Sequence, residues 1–167
     1  METSKLITLM FAGLLVLISY YIFLIKDSKM GYITHPFWFN LPEDVIKILI
    51  AFQIFAVIGF LITIISWIKN PPTQGIMSGN NLFYTLMLFL ISAALWPIFT
   101  YYKIHWAVVL SLILTAISSI LLLAGTVEEK KDDIKWYKVL GMIYLCLVTV
   151  LTDGVIWNAN YIKNYEK

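Results

Sequence analysis

Long uncharged runs alternate with short polar breaks along this chain. Leu6–Ile25 holds twenty residues without a charge, and Ile48–Ile68 holds twenty-one. Leu82–Tyr102 gives another twenty-one, and after Lys103 the run Ile104–Val127 gives twenty-four. The last, Val139–Ile162, is twenty-four residues interrupted by one charge, Asp153. A helix needs about 20 apolar residues to cross a hydrocarbon core roughly 30 Å thick. Lipid offers no hydrogen bonds, so each run must satisfy its own backbone, which a helix does. Long runs without strict alternation argue against a membrane barrel. The pattern predicts an all-α integral membrane bundle of five transmembrane helices in one domain, residues 1–167. The spans fall at about 6–25, 48–68, 82–102, 104–127 and 136–162.

The first run is too long for a signal peptide, and no small-x-small cleavage site follows it, so it reads as a genuine span. Five spans place the two termini on opposite sides. The lysines split almost evenly between those sides, so charge assigns no orientation. Nor does it distinguish a mitochondrial or other organellar membrane from a bacterial one.

The breaks differ in character. Residues 26–46 form a long aromatic loop with Pro36, Phe37, Trp38, Phe39 and Pro42. It is expected to lie on the membrane surface or fold over the mouth of the bundle. Residues 69–81 have turn composition. The break at Tyr101–His105 is short enough to make spans three and four an antiparallel hairpin. Residues 128–133 are a solvated charge run.

Composition narrows the options. Of 167 residues, 60% are hydrophobic and 13% charged, about half the charged share of a soluble domain. The net charge is +2, with no basic patch dense enough for nucleic acid. A single cysteine, Cys146, allows neither an internal disulfide nor a cysteine-based zinc site. No paired carboxylates, nucleophile motif, phosphate loop or metal motif stands out.

Asp153 is the most informative residue. A carboxylate within a span should face the bundle or a wet cavity, because lipid penalises it. At helical spacing it shares a face with Thr149, Trp157 and Asn160. It either faces a ligand cavity or is solvated at the interface near the end of its span. The third span carries a parallel stripe, Ser92, Trp96 and Phe99, with Pro97 inside it. Proline frees the carbonyl of Ala93, so a kink is expected there. The alternative for this stripe is ordinary packing with an interfacial Trp. Of the six tryptophans, interfacial anchoring explains Trp67, Trp106 and Trp136 well. Trp38, Trp96 and Trp157 remain candidates for a site. Lys103 and His105 are expected to be solvated in their turn, and His35 is a lone acid, base or ligand candidate. Val155, Tyr161 and Lys163 fit the loose sterol-contact pattern.

Three stretches resemble the TspO/MBR family of translocator proteins. Pro36 and Pro42 keep that family's six-residue proline spacing before span two. The family's third span reads Asn-Trp-Ala-Trp-x-Pro-Ile/Leu-Phe-Phe, and Ser92–Thr100 here reads Ser-Ala-Ala-Leu-Trp-Pro-Ile-Phe-Thr. The family's fifth span ends Leu-Asn-x-x-x-Trp-x-x-Asn, and Thr152–Asn160 has the same layout, with Asp153 in place of asparagine. Ser92 likewise stands for an asparagine, and Ala93 and Leu95 for tryptophans. The resemblance implies a bundle that often dimerises. It also implies an interhelical pocket, closed by the first loop, for porphyrins, sterols or synthetic aromatic ligands. By matched position the pocket residues are Trp38, Asn40, Ser92, Trp96, Phe99, Trp106, Asp153 and Trp157. No cofactor is required, with a tetrapyrrole entering as ligand.

The leading expectation is a membrane binding or transport protein for such a hydrophobic ligand. Its partners would be the lipid bilayer, the ligand and a second copy. One rival is a non-catalytic structural subunit of a larger membrane complex. The other is a membrane enzyme acting on a lipid or sterol, with Asp153 or His35 as acid or base.

Overall fold

Each apolar run forms a helix, and no strand occurs among the described residues. The structure, a computed structural model, describes residues 2–26, 38, 41–128 and 136–165. Helix α1 (Thr3–Tyr20) continues into a π-helical turn, Tyr21–Lys26. Then come α2 (Glu43–Lys69), α3 (Asn80–Tyr101) and α4 (His105–Val127). The last span is composite: α5 (Trp136–Val148), a π-helical stretch Thr149–Trp157, and α6 (Asn158–Tyr165). Five of these segments are long and apolar enough to cross a membrane, which makes the chain a multi-pass membrane protein.

The helix boundaries follow local chemistry. Helix α2 begins five residues before its uncharged run, directly after Pro42. Glu43 and Asp44 occupy its first turn, where acids complement the helix dipole. Lys47 pairs with Glu43 one turn on, at 2.7 Å. The α3–α4 turn is short, as its sequence predicts, and closes with Lys103 at φ 56°. Helix α3 runs through Pro97 as one element. The π stretch is the departure from a uniform α-helix. Its i→i+5 bonding widens the turn, and Gly154 within it lies close against α4. A Cβ added there would sit 3.2 Å from the Ala116 Cβ.

Helix α1 packs on α3, α3 on α4, α4 on α5 and the π stretch, and α5 on α2. The helices thus form a horseshoe whose two ends, α1 and α2, share no extensive contact. In lipid the apolar helix faces gain little by meeting one another, so close approach and hydrogen bonds must hold the bundle. The α2–α5 contact shows the first device. A Cβ on Gly59 would overlap the Gly141 Cα, and one on Gly141 would lie 2.7 Å from the Gly59 Cα.

The second device is a belt of hydroxyls across mid-bundle. It separates two apolar clusters. One is centred on Phe60, Leu86, Leu122 and Met142, the other on Trp38, Trp96, Leu112 and Trp157. Within the belt, Thr115 Oγ1 donates to Ser92 Oγ at 2.9 Å, which donates to the Leu88 carbonyl at 2.7 Å. Thr149 Oγ1 donates to Ser119 Oγ at 2.6 Å, which donates to the Ala116 carbonyl at 2.7 Å. These bonds link α3 to α4 and α4 to the fifth span.

Replacing Gly141 by Val should therefore cost about 1–3 kcal/mol or more through overpacking. It should appear as a lower apparent Tm in detergent. At Gly13 of α1, by contrast, an added Cβ meets nothing within 4 Å. Gly13→Ala should leave the Tm unchanged or raise stability by up to about 1 kcal/mol, by helix propensity.

Candidate functional site

Four of the eight predicted site residues meet at one end of the bundle. The Trp96 and Trp157 rings lie 4.7 Å apart at 41°. Trp38, from the first loop, stands edge-on to Trp157 at 5.5 Å and 72°. Tyr20 of α1 stands edge-on to Trp96 at 5.6 Å, and the Trp96 indole N–H donates to its hydroxyl at 3.1 Å. Such edge-to-face pairs match positive ring edges to negative faces. Phe99, Ile46, Val108 and Leu112 complete the cluster. Trp38 thus packs against this end of the bundle. Asn40 and His35 lie outside the described residues.

This cluster is packed solid. All three indoles are buried, and none of them lines the large cleft beside them. Ser92 lies deeper, bonded within the hydroxyl belt. Trp106 stands apart on the first turn of α4 at 73% exposure, in the manner of an interfacial anchor. His105 is exposed in its turn, as expected, and its Nδ1 also lies 2.9 Å from the Tyr161 hydroxyl. Tyr161 is buried, while Val155 is exposed, so the sterol-contact pattern presents no shared face to lipid.

The open volume lies beside the tryptophans, in the gap of the horseshoe. It is a cleft of about 1010 Å³ between α1 and α2, with α3, α4 and the fifth span at its back. On α1 it runs from Ile7 to Tyr20, roughly 20 Å at 1.5 Å per residue. Its sides are almost wholly apolar: Met10, Phe11, Leu14 and Leu17 from α1, Ile54, Val57 and Leu61 from α2. Its polar groups are Thr115, Thr149, Thr152 and Asp153 at the back, with Gln53 and Tyr20 from the sides.

Among the described residues, Asp153 is the one predicted site residue on this cleft. Of its two proposed settings, cavity wall or solvated interface, the structure places it at the cavity wall at 6% exposure. Thr152 Oγ1 lies 2.9 Å from its Oδ1 and 2.6 Å from the Val148 carbonyl. The Asn158 amide donates to the Asp153 backbone carbonyl at 3.1 Å. The widened π turn buries Thr152 and Asp153 side by side, where a uniform helix stripe would select only Asp153. Tyr20, Gln53, Thr115 and Thr152 were not singled out from the sequence. Their one signal was a polar side chain within an apolar run. Among the described residues no three His, Cys, Asp or Glu side chains gather as a metal site would require.

The chain matches no protein-family model, no curated protein and no solved structure.

The packing sets opposite expectations for two tryptophans. Trp157→Ala empties the centre of the cluster and should destabilise by about 3–5 kcal/mol. Trp106→Ala should change stability by no more than about 0.5 kcal/mol, as an exposed site does. Denaturation followed by tryptophan fluorescence in detergent measures both.

Proposed function

We propose that this chain binds, and passes across or along the membrane, a hydrophobic ligand held in the α1–α2 cleft. The cleft itself carries this reading. Its volume lies at the upper end of the range for small-molecule pockets, and its lining is apolar with a few convergent polar groups, as such sites are. Its opening lies between two spans with apolar exposed faces, so a ligand dissolved in the bilayer would enter sideways without crossing water. The resemblance to the TspO/MBR family supplies the ligand classes to try first, porphyrins and sterols.

The site differs from the pocket expected at Trp38, Trp96, Phe99 and Trp157. Those side chains fill their own space, and they form the closed end beside the cleft. Tyr20 joins the two, lining the cleft while bonded to Trp96.

Gly13 offers the cleanest test, because it lines the cleft and a Cβ added there meets nothing within 4 Å. Protoporphyrin and a fluorescent sterol would be titrated into purified native protein and Gly13→Phe. Saturable binding to the native protein, weakened at least about tenfold in the variant at unchanged Tm, is the expected result. Equal binding by both proteins would remove the cleft as the site.

A further inference from the structure

Among the described residues, Asp153 stands at the back of the cleft without a countercharge, and those lining the cleft include no Lys and no His. The ion pairs among the described residues, Lys5–Glu2 and Lys47–Glu43, both lie at helix starts. Thr152 is the one side-chain hydrogen-bond donor to the Asp153 carboxyl among the described residues, and its single proton is divided between Asp153 Oδ1 and the Val148 carbonyl. An ionised carboxylate has about four acceptor positions. Most of that capacity is left unused by the described residues, and Asp153 lines the open volume.

We infer that the cleft selects a lipophilic amine, whose ammonium group pairs with Asp153 while its apolar body lies along α1 and α2. This inference rests on the cleft being a binding site, and it adds the chemistry of the ligand's head. Two features favour an amine over other amphiphiles. A buried carboxylate is paired where it persists as a charge, and no described residue of the cleft pairs it. A group carrying its own phosphate or carboxylate finds no cation on these walls and is repelled by Asp153. That excludes zwitterionic phospholipid headgroups as the fitting occupant and leaves a free amine with no acidic group. Gln53 and Tyr20 put further polar groups along the same cleft.

Three pyrene probes of one shape separate these terms: pyrenemethylamine, pyrenemethanol and pyrenecarboxylic acid. Each would be titrated into native protein, Asp153→Asn and Gly13→Phe in phosphatidylcholine nanodiscs, with energy transfer from tryptophan as the readout. For the native protein the expected order is amine first, alcohol at least tenfold weaker, acid weakest. Asp153→Asn should erase the amine's advantage while still binding the alcohol, which also reports that the variant is folded. Gly13→Phe should abolish binding of both. An amine-to-alcohol ratio near one in the native protein overturns the amine inference, whatever the variants do. If the alcohol binds and Gly13→Phe blocks it in that case, the cleft stands as a general hydrophobic site. If no probe binds saturably, or Gly13→Phe leaves binding intact, the cleft reading falls with it.

Discussion

The backbones of α2 and α5 touch at Gly59 and Gly141, and the shape of the bundle depends on where that contact holds α2. Helices in lipid gain no hydrophobic free energy by associating, so an interface forms where small residues let backbones approach. Helix α2 has such a place against α5. Helix α1 is committed to α3 at the other end of the horseshoe. With both end helices engaged elsewhere, the space between them stays open, and that space is the cleft.

The hydroxyl belt makes the same commitment at mid-depth. Ser92, Thr115, Ser119 and Thr149 satisfy one another and nearby carbonyls, tying three spans together where apolar side chains alone would leave the contacts unspecified. Asp153 and Thr152 belong to this layer by height but not by bonding, since the Thr152 hydroxyl bonds to Asp153 and the Val148 carbonyl while Asp153 lines the cleft. The π-helical stretch produces that difference. Stretches of this kind recur at functional sites because the widened turn re-aims neighbouring side chains. Here it sets a carboxyl and a hydroxyl together at the back wall while Trp157, one turn on, still reaches the tryptophan cluster.

The five spans, the short α3–α4 turn and the all-α class were legible in the sequence, because each depends only on local quantities. A run of about 20 uncharged residues must be helical wherever lipid surrounds it. Trp38, Trp96 and Trp157 were set apart by assigning the other tryptophans to the interface, an assignment that fails for Trp67, which is buried in the core at 1% exposure. Only the resemblance put the three with Phe99 in one place. Asp153 was singled out because an acid within a span demands a reason. Trp106 was included by matched position alone, and it stands exposed at the helix end.

Whether converging side chains enclose a space or fill it is not a local property. Aromatic residues that line a pocket and aromatic residues that pack solid obey the same spacing, and only their mutual distances separate the cases. The π stretch was equally hidden, since a 3.6-residue period was assumed where i→i+5 bonding prevails. Tyr20, Gln53 and Thr115 come from three different helices, and their meeting depends on helix order around the bundle. The sequence by itself determined that this chain lives in a membrane as five helices with one acid inside a span, because the solvent forces that result run by run. The tertiary structure decided where the open volume lies, because that follows from which helices touch and which are held apart.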